Sequence, residues 1–515
     1  MHLFATGLVA TGGAGLGSLQ DVCSAGELLA AVAAGAAGLL PTEPVLGFGW
    51  DPARWPAGSR LPGHDELRAA AGGREVFLGR IDMHSALVAV DPVTARVERG
   101  RRGTAGHRAA TFPARPTAPP DAPGIANEVS HRAGGAVDAG DALTVWESGT
   151  PGGAAFTRLT AAPALRRRAI RAALAQFAAA GIGAVHEMAA PHLNPVSDLE
   201  LCTALDADPT VIRVARWWGE HADDGGIARA QAAGAIGCGG DLCVDGSIGS
   251  RTAALQEPYD DAPGERGHLQ LGADSVARHV RACVEHRIGT GFHVIGDRAA
   301  VELTEGLRAA ATMSGGRLPI PVRIEHAELL PPAVVPVLAG LGVLASVQPG
   351  FQARWGRAGG LYERRLGRTR TAGMNRLADL AAAGLPLAFG SDSPVIAPSG
   401  WAMVRDAALH PDPSQRLTVR SAFTAATRGG WRAAGHPDRG VLVAGSPADL
   451  AVWDVPGELG IQVPDDRVAA WSTDVRSGVP ALPILEPTGE LPRLRALFVG
   501  GREIIATDAA GPPSS

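Results

Sequence analysis

The sequence predicts an α/β protein: a (β/α)₈ barrel of the TIM type, with a small β-sandwich domain formed mainly by C-terminal residues. Short apolar runs typical of strands alternate with Ala-rich stretches of helical periodicity, which indicates parallel strands joined by helices. Several runs end in His, Asp or Glu, and the carboxyl ends of barrel strands carry the chemistry of this fold. The chain has 515 residues, of which 46% are hydrophobic, enough for a barrel and a second domain.

The first part of the chain does not follow the barrel pattern. Residues 24–40 read as a helix with Ser24 as its N-cap, and two strand-like runs follow before residue 90. Residues 95–160 are rich in Pro, Gly and charge, which predicts loops and short helices. A helix from about 164 to 180 then leads into the barrel.

Seven successive β/α units follow that helix. Their strand segments are 181–188, 210–218, 241–246, 290–297, 322–327, 344–349 and 386–394. An eight-stranded barrel needs one more strand, which has to precede these.

The last part of the chain predicts short antiparallel strands with tight turns, near 440–454 and 494–505. We therefore divide the chain into the end of barrel strand 1, an insertion with substrate loops, barrel units 2–8 and a C-terminal β-sandwich segment. The corresponding ranges are 1–20, 21–160, 161–435 and 436–515.

Composition argues against several classes of function. The net charge is −5, with no basic block, which disfavours nucleic-acid binding. The five Cys are scattered without a CxxC pair, so neither a disulfide framework nor a zinc ribbon is indicated, and a reducing cytoplasm is favoured. The sequence has no uncharged apolar stretch long enough to predict a membrane span. We expect a cytoplasmic protein with a small-molecule substrate, and we leave open whether it forms a homo-oligomer.

Polar residues at three strand ends suggest a metal site. His293 and His326 lie about one β/α unit apart, so their imidazoles can face one barrel mouth and share an ion. The alternative is two buried His bonded to backbone carbonyls. Asp392 ends the last unit, where it is either a metal ligand and proton acceptor or a loop residue in an Asx turn.

These residues resemble the amidohydrolase superfamily, specifically the family 3 branch that includes N-substituted formamide deformylase-like hydrolases. The resemblance runs from His2 to about Val499 and lies in seven segments that keep the family's order. They are Gly47-Phe-Gly-Trp-Asp, Arg80-Ile-Asp-Met-His-Ser, Val244-Asp-Gly-Ser-Ile-Gly-Ser-Arg-Thr-Ala, Phe292-His-Val-Ile-Gly-Asp, Arg323-Ile-Glu-His-Ala, Ser346-Val-Gln-Pro and Gly390-Ser-Asp-Ser-Pro.

The resemblance implies one or two divalent metal ions, with zinc as the first expectation. The implied ligands are His293, His326 and Asp392, with His2 and Asp241 as further ligands. His2 matches the second His of the family's His-x-His motif. Asp241 stands at or near a Lys that is often carboxylated to bridge two metals, and an Asp can ligate directly as an anionic oxygen donor.

The resemblance also implies that the chain is N-terminally truncated. The first His of that motif, its strand and the N-terminal sandwich strands have no counterpart here. We expect the true protein to extend upstream of Met1, and the chain as given to leave a gap between barrel strands 2 and 8.

Other residues are candidates for substrate binding. Asp82 and His84 lie in the inserted region and can project a His toward the active-site mouth. Asp245 and Arg251 begin a polar loop that either binds substrate or caps a turn. Trp50 can line an apolar pocket, with core packing as the alternative.

The predicted function is hydrolysis of a C–N bond in an amide, formamide or cyclic amide by metal-activated water, with Asp392 relaying the proton. Two alternatives stay open. One is a catalytically impaired or non-catalytic truncated barrel, and the other is a metal-dependent lyase or isomerase on the same fold. The fold does not identify the substrate.

Overall fold

The structure is a computed structural model. It describes residues 2–11, 15–56, 58–90, 142–145, 150–463, 470–472 and 480–506. It divides into an N-terminal unit and a barrel unit. The N-terminal unit comprises residues 3–173 and 191–195, and the barrel unit comprises residues 1–2, 174–190 and 196–515.

The N-terminal unit contains a five-stranded mixed sheet in the order of the sequence. Its strands are β1 (Gly15–Ser18), β2 (Val45–Trp50), β3 (Val76–Arg80), β4 (Ser85–Ala89) and β5 (Leu143–Val145). The first three run parallel and the last three antiparallel. Its helices are α1 (Leu3–Ala10), α2 (Ala25–Ala37), α3 (His64–Ala70), α4 (Pro151–Leu159) and most of α5 (Pro163–Ala179).

The predicted helix after Ser24 is confirmed. Helix α2 begins at Ala25, and the Ser24 hydroxyl accepts a hydrogen bond from the backbone N–H of Glu27. This bond satisfies one of the N–H groups that the first turn leaves without a partner. Residues 91–141, which include most of the segment predicted to form loops and short helices, lie outside the described residues.

The barrel unit contains a curled sheet of seven parallel strands, which confirms the predicted fold class. The strands follow one another across the sheet in sequence order. They are β6 (Ala184–Ala189), β7 (Arg213–Trp218), β8 (Gly237–Cys243), β9 (Gly289–Val294), β10 (Val322–His326), β11 (Leu344–Val347) and β12 (Leu387–Phe389). Within the described residues the sheet ends at β6 and β12, the two strands between which a gap is predicted.

Helices connect these strands. They are α6 (Ser197–Leu205), α7 (Gly226–Ala232), α8 (Ala273–Glu285), α9 (Asp297–Met313), α10 (Val335–Gly340), α11 (Pro349–Trp355), α12 (Leu361–Ala372) and α13 (Leu377–Ala382). After β12 come α14 (Gly400–Ala408), α15 (Val419–Thr424), a π-helical turn (Ala425–Gly429) and α16 (Gly430–Ala433). Among the helices of the described ranges, none has the length and apolarity that a membrane crossing requires.

The C-terminal residues form two small antiparallel sheets, as the turn-rich pattern predicts. One sheet has the order β13-β17-β18 and the other β15-β14-β16. These strands are β13 (Leu450–Asp454), β14 (Leu459–Val463), β15 (Ala470–Ser472), β16 (Leu482–Pro483), β17 (Arg493–Val499) and β18 (Arg502–Ala506).

One predicted strand lies earlier than expected. The pattern placed it at 241–246, whereas β8 spans Gly237–Cys243. Its first half contains two glycines at positive φ, Gly239 and Gly240, and its pairing with β9 is irregular there. The glycines interrupt the alternation of apolar residues and permit a β-bulge. The sequence pattern therefore does not identify this half of β8 as a strand.

The two faces of the sheet bury different residues. Leu242, Val244, Phe292 and Val294 belong to the large apolar core that also contains buried residues of α8 and α9. Since successive strand residues point to opposite faces, the residues between them face the inner side of the curled sheet. The inner side therefore receives Asp241 of β8 and His293 of β9.

A charged layer fills part of that inner side. Arg323 on β10 donates hydrogen bonds to Glu325 on the same strand, to Ser346 Oγ on β11 at 2.9 Å and to His186 Nδ1 on β6 at 2.7 Å. Its guanidinium also lies 5.0 Å from the ring of Trp217 on β7. Because Arg323 is a buried charge, these partners supply the compensation that burial requires.

Candidate metal centre

Two imidazoles meet at the carboxyl ends of β9 and β10. The ring centroids of His293 and His326 are 4.4 Å apart, with the planes at 69°. His326 has a φ of 70°, in the left-handed region that non-glycine residues rarely adopt. Arg323 and Glu325 face the inner side, so regular alternation would turn His326 toward the helices. The positive φ accounts for its position beside His293.

A hydrogen bond fixes one nitrogen of each ring. The amide oxygen of Gln348 accepts from His326 Nδ1–H at 2.9 Å, so Nε2 is the nitrogen that would bind a metal. The carbonyl of Gly246 accepts from His293 Nε2–H at 3.2 Å, so Nδ1, which faces Asp241, is the nitrogen that would bind a metal. Such partners orient metal-ligating His residues and set which nitrogen carries the proton.

Asp241 lies between two of the predicted ligands. Its Oδ1 is 3.5 Å from His293 Nδ1, and its Oδ2 is 3.9 Å from His2 Nε2. The bulge of β8 directs this side chain. A Cβ at Gly239, where φ is 120°, would stand 2.3 Å from the carbonyl oxygen of Gly291, so only glycine fits there.

His2 and Asp392 complete the cluster. His2 Nε2 is 3.7 Å from Asp392 Oδ1, and the His2 backbone N–H donates to the carbonyl of Ser393 at 2.9 Å. Asp392 follows β12 and has a φ of 51°, a second left-handed residue in the site. The structure thus brings all five residues predicted as ligands into one continuous group: His326, His293, Asp241, His2 and Asp392.

The electrostatics of the cluster favour a cation. Burial lowers the pKa of His293, but the hydrogen bond and negative charge of Asp241 outweigh it and raise the pKa to about 9. The Asp241 carboxylate that stabilises the proton on His293 would also attract a metal cation. Imidazole nitrogens with carboxylate oxygens form a donor set that suits zinc and similar divalent ions. The residues present therefore fit a divalent metal.

Asp245, one of the candidates for substrate binding, lies in an environment that suits a structural residue. It is fully buried and accepts hydrogen bonds from the backbone N–H groups of Ala254, Ile295 and Gly296 at 2.8, 3.0 and 2.8 Å. Burial raises its pKa to about 6. These bonds join the loop after β8 to the loop after β9, so the carboxylate stabilises the backbone of the site.

Arg251 is also engaged within the protein. Its guanidinium is buried and donates two hydrogen bonds of 2.9 Å to the carboxylate of Asp261. Arg365 donates to the same carboxylate. Arg251 is therefore paired with Asp261, a carboxylate that it shares with Arg365.

The three other substrate candidates belong to the N-terminal unit. Trp50 has no exposed surface, and its indole N–H donates to the carbonyl of Leu78 at 2.8 Å. It is a core residue there, so the prediction that it lines a substrate pocket is wrong for this structure. Asp82 Oδ1 accepts from the backbone N–H of His84 at 3.3 Å, and the substrate role of these two residues stays a prediction.

Two residues of the site were not predicted. Gln348 follows β11 in a segment already noted for its resemblance, but a Gln gives no signal that it fixes an imidazole. Cys243 lies two residues after Asp241, so strand alternation could have placed it on the same face. Its Sγ groups with a ligand atom each of Asp241 and His293, all within 4.8 Å of one another.

Comparisons with solved structures agree on the fold. An uncharacterized metal-dependent hydrolase from Pyrococcus horikoshii OT3 shares 21% of residues with a TM-score of 0.61, over 87% of this chain and 82% of that one. A second such hydrolase, from Pyrococcus furiosus, gives 21% identity and a TM-score of 0.59, over 87% and 84% of the two chains.

Sequence comparison finds shorter matches. The "Putative amidohydrolase YtcJ" of Bacillus subtilis (strain 168) is 27% identical over 157 residues, 30% of this chain and 28% of that protein. Protein LONG AFTER FAR-RED 3 of Arabidopsis thaliana is 31% identical over 106 residues, 21% and 18% of the two chains. The matched part thus spans less than a third of either curated relative. The amidohydrolase family profile, in contrast, matches residues 1–479, and on that match the chain belongs to the amidohydrolase family.

Proposed function

We propose that this protein is a metal-dependent hydrolase that cleaves a C–N bond in a small-molecule amide, formamide or cyclic amide. The observation that carries the proposal is the cluster at the strand ends. His293 and His326 lie together, each fixed by a hydrogen bond at one ring nitrogen. Asp241 faces His293, Asp392 faces His2, and His293 is held in a strongly anionic environment. Family membership and the names of the structural relatives support hydrolysis. The C–N bond follows from the resemblance to formamide deformylase-like enzymes.

Each residue has a separate task in this proposal. His293 Nδ1, His326 Nε2 and an oxygen of Asp241 would hold the metal. When bound, a divalent metal lowers the pKa of water and polarises a carbonyl group. A carboxylate oxygen of Asp392 accepts the proton of the attacking water and returns it to the leaving nitrogen. His2 lies next to Asp392 and orients that carboxylate.

Asp241 also bears on the number of ions. Its two oxygens face different imidazoles, Oδ1 toward His293 and Oδ2 toward His2. We propose that it supplies the anionic bridge that a carboxylated Lys provides in related enzymes, so that the site accepts one or two ions.

Metal content and product formation test the proposal. Elemental analysis of the purified chain should show one or two equivalents of a divalent metal. A panel of N-acyl and N-formyl amines should then show release of amine and carboxylate. Metal without either product would favour a lyase or isomerase, and a folded chain without metal would refute the hydrolase. We also propose a cytoplasmic location, and sedimentation would establish whether the protein is a homo-oligomer.

A further inference from the structure

Cys243 is a buried thiol at the end of β8 that the proposed reaction does not use. It stands opposite His293 in the pairing of β8 with β9. Its neighbours Leu242 and Val244 belong to the helix-facing core, whereas Cys243 does not. Strand alternation therefore places its side chain on the inner face with Asp241 and His293.

The distances are close to those of a shared ion. Cys243 Sγ, a carboxylate oxygen of Asp241 and a ring nitrogen of His293 lie within 4.8 Å of one another. In a tetrahedral zinc site with bonds of about 2.3 Å to sulfur and 2.0 Å to nitrogen, sulfur and nitrogen lie about 3.6 Å apart. His293 Nδ1 and Asp241 Oδ1, at 3.5 Å, already have such a spacing. The thiol would need a shift of at most about 1.2 Å, within the range of a χ1 rotation.

One contact of the thiol is too weak to oppose this shift. Its Sγ donates to the backbone carbonyl of Asp241 at 3.6 Å, a long contact of a weak donor. Losing it costs little compared with a metal–sulfur bond.

We propose that Cys243 is a further ligand of the metal centre, so that the centre prefers a thiolate-binding ion such as Zn²⁺ or Co²⁺ over Mg²⁺ or Mn²⁺. This inference rests on the proposed function. As the metal binds, the thiol releases its proton to solvent and the thiolate becomes the donor. Thiolate is a soft ligand, and hard oxygen-seeking ions gain little from it.

A second thiol group in the barrel unit provides the control. Cys238, Cys283 and His279 also place their ligand atoms within 4.8 Å. There, however, His279 Nδ1 accepts from the backbone N–H of Ala222 at 3.0 Å, so Nε2 carries the ring proton. His279 Nε2 lies 2.9 Å from Thr290 Oγ1. This group is satisfied without a metal and should not bind one.

Cobalt spectroscopy tests the proposal on the full chain. Metal-free protein would be titrated with Co²⁺, whose thiolate complexes show an intense near-ultraviolet charge-transfer band that nitrogen and oxygen ligands do not give. We expect this band in the wild-type protein, its loss in Cys243→Ser and its retention in Cys238→Ser. The Zn²⁺ dissociation constant should rise at least about tenfold in Cys243→Ser, while that for Mn²⁺ stays nearly constant.

The outcomes separate this inference from the proposed function. Visible d–d bands at one or two equivalents of Co²⁺, without a charge-transfer band that depends on Cys243, would overturn the thiolate ligand and leave the hydrolase standing. Failure to bind either Co²⁺ or Zn²⁺ would overturn both. If Cys243→Ser does not fold, X-ray absorption at the zinc edge of the wild-type protein decides. A sulfur neighbour at about 2.3 Å supports the proposal, and a shell of only nitrogen and oxygen refutes it.

Discussion

Replacing Gln348 with Leu should weaken metal binding without touching a ligand. The amide oxygen of Gln348 accepts from His326 Nδ1–H at 2.9 Å, and both residues are buried. Without the acceptor, a buried N–H loses its partner, at a cost of about 1–3 kcal/mol, or the proton moves to Nε2 and occupies the ligand atom. We expect metal affinity to fall about 10–100-fold, which corresponds to about 1.4–2.7 kcal/mol.

Two measurements and a matched variant check this reasoning. Competition with a chromophoric chelator gives the zinc dissociation constant, and long-range ¹H–¹⁵N correlation spectra report which nitrogen of His326 is protonated. Gln352→Leu removes an equally buried amide one helical turn away, which accepts from Asn375 Nδ2 at 3.0 Å. It should leave the zinc affinity unchanged. The reasoning fails if Gln348→Leu keeps both the wild-type affinity and the Nδ1–H tautomer.

Three further predictions concern catalysis and stability. Asp392→Asn should keep metal affinity within about tenfold and lower kcat by about 10²–10⁴-fold, because an amide cannot accept the proton; wild-type kcat would point to another base. Gly239→Ala should lower the free energy of unfolding by at least about 4 kcal/mol, because its Cβ would meet the Gly291 carbonyl at 2.3 Å. Gly342→Ala, also at positive φ but in open space, should lose only about 1–2 kcal/mol in the same urea titration. Trp50→Phe should lose about 2 kcal/mol and leave kcat/KM unchanged, whereas a large rise in KM would restore a substrate role.

The sequence pattern predicts the barrel well because its signals are local. Each strand is an apolar run of limited length, and each helix has its own periodicity, so order and type can be read without knowing contacts. The positions of His293, His326 and Asp392 at strand ends follow from the same reading, since parallel strands bring equivalent ends to one edge of a sheet.

What the pattern missed depends on backbone geometry and on distant partners. His326 and Asp392 reach the site through positive φ values, which alternation does not reveal. The sequence pattern does not reveal the start of β8, because Gly239, which lies close to the backbone of β9, interrupts the apolar run. Trp50 carries no sequence signal that separates a pocket wall from a core, and only its complete burial decides between them.

The charged layer on the inner side of the sheet has a consequence for how β10 assembles. If this strand slipped by one residue against its neighbours, Ile324 would turn inward while Arg323 and Glu325 entered the apolar helix-facing core. The pair would then lose His186 and Ser346 as partners and enter a medium that solvates charges poorly, a penalty of several kcal/mol. An apolar strand of the same length would tolerate such mispairing far better. Arg323 and Glu325 therefore act against misfolded registers, and the correct register is the one that places His326 beside His293.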